Sequence, residues 1–483
     1  MLETSLFTYY ISSEESCLPE ELPERKIIYK YYIAHSFNTQ CEIISGKKAE
    51  IAVIGLCIPS SDDVPNWNEI LDSANTIEEF LDIEKYMAGR YVLLVHIFNV
   101  GCYLIGDATG SIQINYCTES KNISSLEPLV ARASNSKISP EKEAVFYSKT
   151  ISHAMPGNIT VYEDIYALLP NHYLNLDTFQ AVRFRASSYP INSGDVESCC
   201  KKTVNMARYI CEKMSQMYEF VCPVTGGRDS RVVLALLREK THNLKAFTMH
   251  HSSMKSGHID LIGASNLCKK LGQSHIIIPD VPLPPERVAF FDSLFGEDKY
   301  DKKLLVLGET IKSKFKGKAI TNGDIIGHIG KVMSQKDIPS KWMTLEYFRY
   351  KSHVFGSDKY LKDWLDEAKN EANVELCDLY AWEQRMGRLA CTILQMKDLN
   401  GVNELNFFNC REIISLWASI PRQFRKDLVV HEYFLEQIEP TMNRIPYEQH
   451  PFAVRLGNKN WLTMYVSTLV KFYVQKLLFT LKK

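Results

Sequence analysis

The sequence predicts an α/β protein of 483 residues, with an antiparallel sheet in its first part and a doubly wound parallel sheet with a helical C-terminal part in its second. Three observations carry that expectation. Early in the chain, short β-rich runs are separated by tight-turn residues. Arg185 to Glu197, "RASSYPINSGDVE", is then rich in Ser, Pro, Gly and Asn and reads as a connection. Beyond it, strand-like and helix-like segments alternate regularly.

In the first part, "RYVLLVHIF" (Arg90 to Phe98), "CYLIGD" (Cys102 to Asp107) and "IQINYC" (Ile112 to Cys117) read as strands divided by Asn-Val-Gly and Ala-Thr-Gly turns. "NITVYEDIYALLPNHYLNLD" (Asn158 to Asp177) repeats the texture, with Leu-Pro-Asn as its turn. After the connection, Cys200, Val204, Ala207, Ile210 and Met214 keep a helical stripe, "FVCPV" (Phe220 to Val224) reads as a buried strand, and "RVVLALLREK" as a helix. "LKAFTM" (Leu244 to Met249), "IDLIGASNLCKKLG" (Ile259 to Gly272) and "HIIIPD" (His275 to Asp280) continue as strand, helix and strand. That order means parallel strands joined by crossover helices. Domains of 1–190 and 196–483 are expected.

Composition narrows the function classes. Charged residues are 23% of the chain and the formal net charge is -1, so no global field recruits nucleic acid or anionic lipid. The 13 cysteines show no CxxC pair and no Cys/His ligand spacing, which reads as reduced thiols without a disulfide framework or structural zinc. The start, MLETSLFTYY, lacks a basic segment followed by an apolar core, and no stretch has the uninterrupted apolar length of a membrane-spanning helix. The expectation is a cytoplasmic protein.

Between the Phe220 strand and the following helix lies Thr225-Gly226-Gly227-Arg228-Asp229-Ser230. Two glycines permit positive φ and close backbone approach, the amides entering the helix suit phosphate, Thr225 and Ser230 add hydroxyls, and Asp229 is a hard oxygen donor for Mg²⁺. An ordinary strand-to-helix turn, with Gly for the turn and Asp or Ser as a cap, fits the same residues. It is no Walker loop, because no Gly-Lys-Ser/Thr follows.

The loop resembles the SGGxDS pyrophosphate loop of the ATP pyrophosphatases, and what flanks it resembles the asparagine synthetase-like family. "LKAFTMHHSSMKSGHIDLIGASNLCKKLGQSH" is similar to that family's adenine-side strand and helix, which implies nucleotide contacts at Met249 and Asp260 beside Thr225, Gly226, Gly227, Asp229 and Ser230. "GRYVLLVHIFNVGCYLIGDATGSIQINYC", with its Gly106 to Gly110 turn, resembles the family's glutaminase-like domain. The resemblance therefore implies an antiparallel sandwich of the N-terminal-nucleophile type ahead of an ATP-pyrophosphatase domain. It implies ATP and Mg²⁺ as cofactors, Asp229 and Asp324 (in "TNGDIIGHIG", Thr321 to Gly330) as metal ligands, and an AMP-forming amide ligase joining a carboxylate to an amine. An Asn-Gly-Asp turn is the plainer reading of Asp324.

The departures bear on function. The chain has no cysteine before Cys17, so the glutaminase-like domain is expected to be inactive. Arg231 stands where the commonest motif has a second Ser. In "WEQRMGRLACTILQMKDLNGVNELNFFNCREIISLWASIP", Asn406 to Asn409 match a family run in pattern only, and the family's Glu falls on Val402; Glu404, with Glu383 as the other option, is the candidate acid. Lys459 is the candidate for the family's late lysine, and a surface lysine is the competing reading. TGGxDSR versions resemble proteins tied to surface polysaccharides or peptide natural products. A nucleotide-binding regulatory or scaffold subunit is the alternative to a ligase.

Other features read plainly. His250, His251 and His258 fit no standard metal site, and Lys312 to Lys318, "KSKFKGK", reads as a solvated loop. From Trp461 on, aromatic and aliphatic residues mix with Lys471, Lys476, Lys482 and Lys483, a pattern that suits a helix on the core, on a partner protein or on a membrane surface; a homodimer is a separate expectation for the chain.

Overall fold

The computed structural model describes residues 1–147, 155–241, 243–252, 254, 255, 257–297, 299–331, 344, 345, 348, 359–447, 462, 466, 469, 470, 473, 474 and 477. Two antiparallel six-stranded sheets come first. One contains β1 (Tyr9–Ser12), β2 (Glu24–Ile28), β3 (Tyr31–His35), β8 (Asn115–Cys117), β9 (Ile123–Ser124) and β10 (Ile165–Ala167), in the order β10-β8-β9-β1-β3-β2. The other contains β4 (Cys41–Ser45), β5 (Ala49–Pro59), β6 (Met87–Ile97), β7 (Gly101–Gly106), β11 (His172–Asn175) and β12 (Gln180–Arg183), in the order β12-β11-β7-β6-β5-β4.

The period of two in β5 and β6 explains how the second sheet is covered on both faces. Ala52, Ile54, Val92 and Leu94 meet Ile11 and Ile33 of the first sheet. The alternate residues Ile51, Val53, Leu93 and Val95 pack instead with Ile70, Leu71, Ile77 and Phe80 of the helices Trp67–Ser73 and Ile77–Glu84. Ile112 to Cys117 is strand only over Asn115–Cys117, because Gly110 (φ 62°) and the hydrogen bonds that Asp107 collects hold the preceding residues in a turn.

The third sheet is parallel throughout. Its strands are β13 (Phe220–Pro223), β14 (Lys245–His250), β15 (His275–Pro279), β16 (Ala319–Ile320) and β17 (Asn403–Glu404), in the order β15-β14-β13-β16-β17. Helices cover both faces. Val221, Phe247, Ile278 and Ile320 meet Ile311 and Phe315 of the helix Lys302–Phe315, while Cys222 and Ala246 belong to the core shared with Val196–Met217, Arg228–Lys240 and Ile259–Lys270. The predicted stripe on the Val196–Met217 helix, Cys200 through Met214, is fully buried.

The seam between the antiparallel and parallel parts is built like an interior. Apolar residues of both parts share one cluster. Through it, the buried guanidinium of Arg90 donates to both oxygens of Asp398 at 2.9 and 2.7 Å, and Trp382 Nε1 donates to the Ala108 carbonyl at 2.6 Å. Asn409 Nδ2 donates to the Gly89 carbonyl and to Asp107 at 2.6 and 2.9 Å, while Thr109 Oγ1 donates to Asn409 Oδ1 at 3.1 Å. Only an amide side chain can give and take in this way opposite a carboxylate.

Candidate active site

The site is assembled at the carboxyl ends of β13 and β16, adjacent strands between which the sheet order reverses direction. An open α/β sheet leaves a crevice at that place, because successive crossovers depart to opposite sides. After β13 the chain passes Thr225, Gly226 and Gly227 into the helix Arg228–Lys240, whose N-cap Gly227 offers no side chain, so the first amides carry no side-chain cap. Neither glycine of the loop has positive φ, contrary to the expected use of that freedom. Gly226 is favoured by proximity instead: a Cβ there would lie 3.2 Å from the Ile259 carbonyl oxygen and 3.4 Å from Gly263 Cα, so the neighbouring helix would have to give by a few tenths of an ångström. The hydroxyls brace the loop from within. Thr225 N and Gly227 N donate to Ser230 Oγ and Thr225 Oγ1, each at 3.2 Å.

The second loop packs directly on Asp229. A Cβ on Gly323 would lie 2.8 Å from the Asp229 backbone and Cβ, and one on Gly327 would lie 2.7 Å from Asp229 Oδ2. Asp324 N is held by Asn322 Oδ1 at 2.9 Å, His328 Nδ1 donates to the Asp324 carbonyl at 2.7 Å, and a π-helical turn, Ile326–Gly330, follows. Surrounding protein mass, then the Glu404 carboxylate, push the Asp324 pKa up, and the Asp229 charge adds to the rise.

Asp229 itself is engaged. Lys331 Nζ donates to its two oxygens at 2.9 and 3.3 Å, and His431 Nε2 donates to Oδ1 at 2.8 Å. Burial raises the carboxyl's pKa, but the His431 hydrogen bond and the Lys331 charge outweigh it and bring it down to about 2. His431 is fully buried and burial lowers its pKa; with Nδ1 unpartnered and Nε2 facing a carboxylate, it is the neutral tautomer with its proton on Nε2. Neither Lys331 nor His431 was identified from the sequence. Lys331 carried a usable signal, a lysine closing the Gly-rich second loop; His431 is 202 positions from its partner and carried none.

The remaining candidates fall as follows. Glu404 ends β17, is buried, and accepts from Lys397 Nζ and Asn322 Nδ2, so it supports the Asp324 loop. Glu383 is also buried, where Arg183, Trp364 Nε1 and Asn171 surround it well away from a free acid's setting. Met249 stands near the end of β14, partly buried against the core, and Asp260 in the first turn of Ile259–Lys270, 3.7 Å from His258 Nδ1. Arg231, in place of a second Ser, is buried and donates to the carbonyls of Met442, Ile445 and Pro446, tying the chain after the Val429–Ile438 helix to the loop. Lys459 lies outside the described residues, as do Trp461, Lys471, Lys476, Lys482 and Lys483. His251 pairs with Asp280 at 3.0 Å.

Mg²⁺, implied by the resemblance, fits as a cation held largely by phosphate oxygens and water. Among the described residues no three His, Cys, Asp or Glu side chains could hold a metal by themselves. Two carboxylates from facing loops are the usual protein share of such a site. The Asp324 carboxylate accepts no hydrogen bond from a described residue, whereas Asp229 can serve after exchange with Lys331.

No family model matches the chain, and no curated protein matches it. Solved structures do. An NH3-dependent NAD synthetase from Campylobacter jejuni aligns at 19% identity and TM-score 0.19, over 28% of this chain and 60% of that one. A glutamine-dependent NAD+ synthetase from Acinetobacter baumannii, solved with ADP, aligns at 16% and 0.19 over 33% and 30%. An NMN synthetase from Francisella tularensis aligns at 16% and 0.19 over 53% and 99%. The chain is structurally similar to these synthetases. It spans less than two thirds of the two NAD synthetases, and at this TM-score the likeness carries no argument about the site.

Proposed function

We propose that the chain is an ATP-dependent, asparagine synthetase-like amide ligase, which adenylates a carboxylate and passes the acyl group to an amine. The observation that supports this best is the packing of Gly323 and Gly327 against Asp229, which joins the loop that carries Asp324 to the Asp229 loop beside a helix N-terminus without a side-chain cap. In this reading the amides entering the Arg228–Lys240 helix receive the phosphates, with Met249 and Asp260 on the adenosine side. A substrate carboxylate oxygen attacks the α-phosphorus, the α–β bridging P–O bond breaks, and its electron pair leaves with pyrophosphate. The amine nitrogen then attacks the acyl carbon, loses a proton, and expels AMP. Asp229 and Asp324 would hold Mg²⁺, which when bound supplies neutralisation of the departing charge.

Glu404 acts here through Asn322 as a positioning residue for the Asp324 loop. Cys17 sits in a surface turn with Sγ 3.7 Å from Glu14, and thiol chemistry has no part in the proposal. The acceptor is a small molecule, peptide or glycan component carrying a carboxylate.

The test is pyrophosphate release from Mg·ATP across a panel of aspartate, uronic acids and acidic peptides, for the wild type and Asp229→Ala. The expected outcome is release with one acid class, reduced about 100-fold or more by the substitution. ATP binding without Asp229-dependent release for any acid would sink the ligase and favour a nucleotide-binding scaffold.

A further inference from the structure

Asp229 has two partners of different character. His431 comes from the interior, fully buried on the Val429–Ile438 helix, and its Nδ1 has no partner; nothing about it can move without opening the core. Lys331 comes from the solvent side, half-buried, on a flexible four-carbon stem at the end of the Ile326–Gly330 turn. The two arginines beside Asp229 on its own helix are committed elsewhere, Arg228 to Glu432 at 3.0 Å and Arg231 to the 442–446 carbonyls. The exchangeable positive charge at this carboxylate is therefore Lys331.

We infer that Lys331 is an internal stand-in cation for Asp229, so that the divalent cation and the nucleotide are taken up together. The inference rests on the ATP reading above. A dication and an ammonium repel each other at one carboxylate, so without nucleotide the cation must expel Lys331 into water with no new partner for it. An incoming triphosphate supplies anionic oxygens that accept Lys331 as it leaves Asp229, while His431 keeps the carboxylate in place. Cation and nucleotide then favour each other's binding, and the coupling is reciprocal by linkage.

The experiment measures Mn²⁺ binding to the full chain without nucleotide, by the paramagnetic resonance of free Mn²⁺, for the wild type, Lys331→Met, Lys331→Arg and Lys331→Met with Asp229→Asn. The wild type and Lys331→Arg bind weakly. Lys331→Met binds about tenfold more tightly or better, the scale of a lost charged hydrogen bond, and the double variant returns to the wild-type value. Mn²⁺ binding by Lys331→Met no tighter than by the wild type overturns the inference, as does a gain that survives Asp229→Asn. A parallel titration of the wild type with Mg·ATP separates the two readings. If ATP binds but Lys331→Met takes up Mn²⁺ like the wild type, the stand-in cation alone fails; if the wild type binds no ATP, the ATP reading fails and this inference falls with it.

Discussion

At the scale of the residue, the aspartate of the site and the aspartate of the seam are unequal in kind. Asp229 is held down to about 2 by donors, whereas Asp398, at the seam, is pushed by burial up to about 6 in spite of Arg90. An ordinary aspartate titrates near 3.9. Because the folded protein holds the Asp398 proton more firmly than the unfolded chain, this group's contribution to stability is full below about pH 4 and is lost as the pH rises through about 6. Urea unfolding of the wild type and Asp398→Asn should show it: the wild-type advantage falls by about 2 kcal/mol between those limits. A difference that is flat or grows with pH would contradict the assignment.

At the scale of the element, the two loops work as one device because backbone meets backbone where side chains are missing. Gly323→Ala places a methyl carbon 2.8 Å from Asp229 atoms of the neighbouring element. The loops must separate, at a cost of about 1–3 kcal/mol. Since the strain falls at the mouth of the sheet and not in its core, the expected result is a folded protein with Mg·ATP affinity weakened at least about tenfold, read by calorimetric titration. Unchanged affinity would mean that the contact is not needed. The neighbouring run Asn406 to Asn409 shows how one short element can serve both parts of the chain. Asn406 Nδ2 holds Asn322 of the second loop at 3.0 Å, Phe407 packs edge-on against Phe220 of β13, and Asn409 closes on the Gly106 to Gly110 turn.

At the scale of the whole molecule, the seam decides cooperativity. A shared apolar core crossed by Arg90–Asp398, Arg183–Glu383 and Arg411–Asn171 resembles a domain interior more than a contact between tethered bodies. Calorimetry should therefore record one unfolding transition for the antiparallel and parallel parts together, and two resolved transitions would count against this account. Arg90→Met should shift that single transition down as a whole, by about 3 kcal/mol or more, since it leaves Asp398 buried without its partner. Among the described residues no helix is long and apolar enough to cross a membrane.

What the sequence determined by itself was whatever is encoded locally. The β-rich run "RYVLLVHIF", the strand–helix alternation from Phe220 to Pro279, and the contiguous Thr225 to Ser230 and Thr321 to Gly330 loops were legible because each is a property of neighbouring residues. Tertiary structure decided what depends on distant residues meeting. It brought His431 and Lys331 onto Asp229, and it enclosed Glu404 between Lys397 and Asn322 and Glu383 beneath Arg183. It also made Arg231 a clamp on carbonyls more than two hundred positions away. A carboxylate looks the same in a sequence whether it is free or already satisfied; which of the two it becomes is settled by the donors that packing delivers and the water that packing removes.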